Sequence, residues 1–385
     1  MEKVYVENTK RIYMDNAATT PLNPQVLEAM MPYLTDRYGN PSSIYAEGRR
    51  AKSAIEAARR KVANAIGAKP YQIVFTSGAT ESNNTIMRMF NSDVMMSAIE
   101  HPSVYNHSRY TKNFTEILRP NKEGIIKGSN VMNAVQDRSA LWLLAVMLVN
   151  NEVGSIQPIA DIRSACEAEH FHPWIHVDAV QAIGHINISV KEMGIQSLSI
   201  SAHKFGGPKG VGALYVQDPY YLGPHPLMRG GHQEALIRPG TENVAGIVGL
   251  GAAIDLATKN IAEREAVIGN LARRLWEGIA ESIPDVKLNG PKLGPSRLAG
   301  NVNVWFMDCP SEKVVLALDD EGICCSGGSA CSSGSPSHTI IAMYNDKKRA
   351  NESIRFSLSE NNTEEEVDRV LEILPSLIDS IRRNQ

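Results

Sequence analysis

The chain is poor in the features that most often betray a function. Cysteine occurs only five times in 385 residues, too few for a disulfide framework to hold a chain of this size. None pairs at the Cys-x-x-Cys interval: Cys324 and Cys325 are adjacent, and Cys331 has no such neighbour. A metal site is therefore not expected. The longest apolar run, residues 140–149, is too short to span a bilayer and reads as a buried strand. Neither sign of charge dominates. The formal net charge of −3 gives no reason to expect nucleic acid or an anionic membrane as partner. Residues 1–7 show no basic region followed by an apolar one, so no secretory signal is read and the cytoplasm is the expected compartment. There is no internal repeat and no low-complexity tract.

What is present is an ordinary globular composition, 43% hydrophobic and 21% charged. The length exceeds what one hydrophobic core usually serves, so two domains are expected. Short apolar runs at 73–75, 94–99, 141–149, 174–177, 198–200 and 212–216 read as strands. Helical patterns fall at 24–31, 43–65 and 159–169. This alternation predicts an α/β unit with a mostly parallel sheet covered by helices. A long helical stretch over 244–283, stopped by Pro284, is expected to carry the chain out of the first unit. The remainder reads as α+β, with strands at 301–306, 323–325 and 354–358 and a helix at 312–319. A last amphipathic helix begins at Thr363, where Thr363 and Glu366 form a capping box.

Chemistry gathers at the ends of these strands. Lys204 follows the run Ser197-Leu198-Ser199-Ile200, where burying a cation is costly. Asp178 ends the run Trp174-Ile175-His176-Val177. Enzymes that use pyridoxal phosphate need this pair: an amine to form a Schiff base with the cofactor aldehyde, and a carboxylate to keep the pyridine nitrogen protonated. A surface lysine in a Gly/Pro turn is the plainer reading. The flanking His203 and the turn Gly206-Gly207-Pro208-Lys209-Gly210 argue against it. The stretch Phe75-Thr76-Ser77-Gly78-Ala79-Thr80 passes from a strand into a helix. Backbone amides of Gly78, Ala79 and Thr80 suit a phosphate there; an ordinary helix start with nothing bound is the alternative. His101, at another strand end, can stack on a pyridine ring, and Asn151 or Gln181 can reach its phenolic oxygen. Ligands of open α/β sheets bind at the carboxyl ends of the strands. The Gly/Ser-rich segment 326–337 cannot pack a core and reads as a mobile loop carrying one thiol, Cys331. Such a thiol suits a nucleophile, active as the thiolate. Cys324 and Cys325 read as packing residues of the preceding strand, and neither Cys166 nor Cys309 is expected to be catalytic.

At these residues the sequence resembles the cysteine desulfurases, in the class V aminotransferase group of fold-type I pyridoxal phosphate enzymes. The likeness runs nearly end to end. It includes Tyr13-Met14-Asp15-Asn16-Ala17-Ala18-Thr19-Thr20, Gly39-Asn40-Pro41-Ser42-Ser43, the block Thr76–Asn84, Ile99-Glu100-His101-Pro102, His176-Val177-Asp178-Ala179-Val180-Gln181, Ser201-Ala202-His203-Lys204, Arg238-Pro239-Gly240-Thr241-Glu242-Asn243 and Gly328-Ser329-Ala330-Cys331. The long cysteine loop is similar to that of the housekeeping and nitrogen-fixation branch. The resemblance implies a large cofactor-binding domain over 15–257 with a mostly parallel seven-stranded sheet. A smaller α+β domain over 258–385 would follow, with residues 1–14 packing on it.

It also implies roles. Lys204 would be the Schiff-base lysine, Asp178 the pyridinium partner and His101 the stacking acid/base. Asn151 and Gln181 would bind the phenolic oxygen. Thr80, Ser201 and His203 would hold the phosphate, and Thr241 would reach the phosphate site across a homodimer interface. Arg355 would hold the substrate carboxylate, and Cys331 would take sulfur from L-cysteine as a persulfide for an acceptor such as an iron–sulfur scaffold. Tyr45, Leu236 and the pair Ser359-Glu360 depart from the family pattern, and the segment between Asn84 and Glu100 is short. None of these touches a candidate catalytic group. The rival readings are selenocysteine lyase or another aminotransferase-type reaction on the same fold and, more distantly, a non-enzymatic binding or scaffold protein.

Overall fold

The structure is a computed structural model that describes residues 11–90, 92–111, 113–135, 137, 141–222, 226–328 and 336–384, the side chains of residues 221 and 222 excepted. Cys331 lies outside the described residues. The chain begins with a short strand β1 (Ile12–Tyr13). The large sheet is built from β2 (Ile73–Thr76), β3 (Asp93–Ser97), β4 (Thr115–Leu118), β5 (Trp142–Ala145), β6 (Trp174–Asp178), β7 (Ser197–Ser201) and β8 (Gly212–Val216). Their order is β2-β8-β7-β6-β5-β3-β4. β8 is antiparallel to both its neighbours and every other pairing is parallel. All strands but β8 therefore run one way, and their carboxyl ends share one edge.

The expected α/β architecture is present, with a mostly parallel seven-stranded sheet. Alternate residues of each strand serve opposite faces. Phe75, Met95, Leu144, Ile175 and Leu198 join one buried cluster, under the Pro24–Leu34, Ala46–Ala65 and Val244–Ala257 helices. Val74, Val94, Met96, Leu143 and Leu214 join another on the opposite face. Burial on both faces explains why these strands read as continuous apolar runs.

The 141–149 run is only partly strand. β5 ends at Ala145, yet Val146 N–H and Leu148 N–H still donate to the carbonyls of His176 and Asp178. β4 was missed because Thr115-Glu116-Ile117-Leu118 is short, half-polar and at the sheet's edge. The continuous helix expected over 244–283 is two helices, Val244–Ala257 and Ile261–Ser282, meeting at 78°. Asn260 sits between them with φ 51°, a left-handed conformation that asparagine tolerates better than most residues. The second helix ends at Ser282, shortly before Pro284.

A second core lies around the small sheet β12-β13-β10-β9, formed by β9 (Val286–Leu288), β10 (Asn301–Phe306), β12 (Ser326–Gly327) and β13 (Ser353–Ser357). β11 (Ile323–Cys324) pairs instead with β1, in parallel. Met14 is fully buried in this second cluster, and Ile12 packs on it. The Glu364–Arg383 helix starts with the Thr363–Glu366 capping box read from the sequence.

Candidate active site

A cleft of about 560 Å³ opens at the shared strand edge. β2 delivers Gly78 there with φ 153°, a conformation essentially restricted to glycine. Opposite it, a side chain on Gly212 of β8 would meet the Gly78 Cα at 2.7 Å. Gly212 must be glycine for the two backbones to approach this closely, and Gly78 because of its φ. The Ala79–Met89 helix begins at once, and no side chain caps it. Its orphan amides and positive dipole end therefore lie at the cleft, where Gly78, Ala79 and Thr80 form the wall. Glu81 in the first turn is occupied elsewhere, accepting from Ser77 N–H at 2.7 Å and pairing with Arg238 at 3.1 Å. Ser201 and His203 line the same wall. Burial, then Lys204 and Lys209, push the His203 pKa down to about 4, so its ring is neutral at pH 7.

β7 ends in a tight turn, Ala202–Lys204, which swings Lys204 into the cleft. Its Nζ donates to the carbonyls of Ala17 at 2.6 Å and Ala18 at 2.7 Å. Gln181 Nε2 donates to the same Ala17 oxygen at 2.9 Å. Asp178 is buried at the end of β6 and accepts from Asn83 Nδ2 at 2.8 Å and Val180 N–H at 3.0 Å. His101 follows the β3 end. Its Nδ1 meets Ser103 Oγ at 2.8 Å and accepts from the Ser103 amide at 3.2 Å. Desolvation lowers the His101 pKa most, and Asp178 opposes that shift. Asn150 and Asn151 divide the work after β5. Asn150 is buried and caps its own turn through Glu152 N–H and Val153 N–H, while Asn151 lines the cleft.

Arg355 comes from β13 of the small sheet and is almost wholly buried. It donates to Asp15 at 2.7 Å and to the Asn151 carbonyl at 3.0 Å, and its Nε has no partner among the described residues. Thr241 does not join the other candidates: it is exposed and stands outside the cleft of its own chain. Cys325 is buried in the second core, where burial pushes its thiol pKa up. Cys166 is pushed up to about 11 for the same reason. Among the described residues no group of His, Cys, Asp and Glu is arranged to hold a metal ion.

The sequence reading passed over several residues that the fold brings here. Asp15 is the counter-ion of Arg355, and the Ala17 and Ala18 carbonyls hold Lys204. Glu100 is buried beside His101, and desolvation pushes its pKa up to about 8. Asn83 supports Asp178. All of these lie inside motifs that carried the family resemblance, but most of their partners are distant in sequence. For His176 a local signal existed: a polar residue on the same face of β6 as Asp178 in an otherwise buried strand.

The residues present fit pyridoxal phosphate. The uncapped helix start matches a phosphate, the buried Asp178 carboxylate matches a protonated pyridine nitrogen, and Lys204 matches an aldehyde. Residues 12–370 match the family described as aminotransferase class-V. The chain is 42% identical over 381 residues to a cysteine desulfurase IscS of Clostridium botulinum, covering 96% of this chain and 94% of that protein. It is 44% identical over 393 residues to the cysteine desulfurase IscS of Methanosarcina thermophila, covering 99% and 95%. A solved NifS-like protein superposes with a TM-score of 0.88 at 33% identity, over 96% of this chain and 100% of that one. The chain belongs to the class-V aminotransferase family and, within it, groups with the cysteine desulfurases.

Proposed function

We propose that the chain is a homodimeric, pyridoxal phosphate-dependent cysteine desulfurase that converts L-cysteine to L-alanine and passes the sulfur to Cys331. The observation that carries this reading is the convergence on one cleft of Asp178 and Lys204, from the ends of β6 and β7, and Arg355, from the middle of β13 in the other sheet. The amides of Gly78, Ala79 and Thr80, with Ser201 and His203, would hold the phosphate. Asp178 would hold the pyridine N–H, and Asn151 and Gln181 would reach the phenolic oxygen. When bound, pyridoxal phosphate supplies an electron-accepting ring that stabilises negative charge at the substrate Cα. Arg355 binds the substrate carboxylate as a planar donor of fixed geometry. Lys204 takes the Cα proton, and His101 stacks and exchanges protons. The Cys331 thiolate forms a bond to the substrate sulfur as the carbon–sulfur bond breaks. The sulfur remains on Cys331 as a persulfide, the carbon skeleton takes up protons and leaves as alanine, and an acceptor protein then receives the sulfur.

The dimer reading is supported by apolar exposure on one stretch of chain: Leu27, Met31, Leu34, Tyr38, Ile44 and Tyr45 are all exposed, an unusual concentration for a lone molecule. Thr241 would then act on the other subunit's phosphate site. No single helix among the described residues is long and apolar enough to cross a membrane, and a cytoplasmic location is part of the proposal. The test is to reconstitute the protein with pyridoxal phosphate, supply L-cysteine, and measure alanine and protein-bound sulfane sulfur. Alanine without sulfane sulfur on Cys331 would overturn the reading.

A further inference from the structure

A chain of hydrogen bonds runs behind the cleft, and its direction is set from its carboxylate end. β6 alternates, so Trp174, His176 and Asp178 share one face. Trp174 Nε1 meets Ser197 Oγ at 2.9 Å, and Ser197 Oγ meets His176 Nδ1 at 2.9 Å. His176 Nε2 meets Asn83 Oδ1 at 3.0 Å, and Asn83 Nδ2 meets Asp178 Oδ2 at 2.8 Å. At the Asp178 end an ionised carboxylate only accepts, so Asn83 turns its amide nitrogen to Asp178 and its oxygen to His176 Nε2. An amide oxygen also only accepts, so the neutral His176 ring carries its proton on Nε2, and its bare Nδ1 accepts from the Ser197 hydroxyl. Ser197 Oγ in turn accepts from the Trp174 indole N–H, which only donates. Asn83 and His176 are essentially inaccessible, so no solvent exchange relaxes this order. Burial also pushes the His176 pKa down to about 3, which keeps the ring neutral.

The second N–H of the Asn83 amide is used as well. Asn83 Nδ2 donates to Ser103 Oγ at 2.8 Å, and Ser103 Oγ lies 2.8 Å from His101 Nδ1. His101 Nδ1 accepts the Ser103 backbone N–H and therefore carries no proton, so the Ser103 hydroxyl gives its proton to it as well. His101 is thereby held with its ring proton on Nε2. The geometry points to Asn83 as a positioning residue: one amide, oriented by the Trp174–Ser197–His176 chain, aims Asp178 at the pyridine nitrogen and sets the ring state of His101. This inference rests on the proposed cofactor role of Asp178 and deepens it.

The experiment has two independent readouts on the full chain. Histidine nitrogens are labelled and the tautomers of His101 and His176 are read by nitrogen NMR without added cofactor, each of the ten histidines being assigned by substitution. Both rings are expected as the Nε2–H tautomer; an Nδ1–H tautomer at His176 overturns the inference. Pyridoxal phosphate affinity is then titrated well below the melting temperature. His176→Leu removes the donor to Asn83, whereas His176→Gln places an N–H where Nε2 stood. His176→Leu should bind the cofactor roughly tenfold more weakly, the value of the charge-assisted Asn83–Asp178 bond that it leaves unoriented, and His176→Gln should recover most of that loss. Asn83→Asp, which turns an acceptor toward Asp178, should lose more than Asn83→Ala. Equal affinity in His176→Leu and His176→Gln, or wild-type affinity in Asn83→Asp, overturns the inference. If wild-type protein binds no pyridoxal phosphate, the proposed function fails, and the tautomer readout still tests the hydrogen-bond chain.

Discussion

Glu100 offers a test of the electrostatics around the site that needs neither cofactor nor substrate. The carboxyl is fully buried, and desolvation pushes its pKa from the ordinary 4.5 up to about 8, against hydrogen bonds from Met147 N–H and Ser97 Oγ that pull it down. Both of these bonds go to Oε1, and Oε2 has no partner among the described residues. The folded state therefore prefers the protonated form. Below the unfolded pKa both states carry the proton and Glu100 makes no pH-dependent contribution. As pH rises the unfolded state ionises first, so stability falls until the folded pKa is passed. At about 1.4 kcal/mol per pH unit, the loss between roughly pH 5 and pH 8 comes to about 3 to 4 kcal/mol. Glu100→Gln keeps an acceptor where Oε1 stands and removes the titration. Its unpartnered amide N–H₂ adds a constant penalty of about 1–3 kcal/mol, which shifts the whole curve without changing its slope. Equilibrium urea unfolding of both proteins at several pH values reads the difference. The variant should be flatter than the wild type over that window by most of the calculated loss, and should be the more stable protein by about pH 8. Parallel curves would show that Glu100 is ionised in the folded protein and refute the reasoning.

Lys204→Ala should fold normally, lose the visible absorption of lysine-bound cofactor and lose all turnover; borohydride reduction of the wild type followed by peptide mapping should place the label on Lys204, and a label on Lys209 instead would reverse the assignment. Cys331→Ser should bind pyridoxal phosphate and still show a spectral change with L-cysteine, yet form neither persulfide nor alanine at the wild-type rate, while Cys324→Ser and Cys325→Ser stay active with modest losses of stability; sulfane sulfur mapped first to Cys324 or Cys325 would assign the nucleophile elsewhere. If Thr241 reaches the other subunit's phosphate site as proposed, dilution to monomers should weaken cofactor retention, and light scattering that finds a monomer with stoichiometric cofactor would remove that role.

The elements that position the site were legible where local periodicity and end chemistry agreed. β6, β7 and β8 read correctly because strands buried on both faces are continuous apolar runs, broken where a functional group must emerge. Lys204 and Asp178 stood out for that reason. The Thr363 capping box was legible because its two partners lie within one turn. The break between the Val244–Ala257 and Ile261–Ser282 helices was not, because no proline or glycine marks it and Asn260 takes up the left-handed turn. β4 was not, because an edge strand buries little and has little apolar signature.

Sequence alone determined the family, the sheet type and most of the groups that face the cleft, since each is written into a short motif whose residues fold together. Tertiary structure alone decided how those groups are held. Arg355 meets Asp15 across 340 positions of chain, Lys204 meets Ala17 across 187, and Asp178 meets Asn83 across 95. Local patterning is silent about such pairs. They form because a buried charge or amide must find a partner once water is excluded, and which partner is within reach depends on the order of the strands and not on the order of the residues.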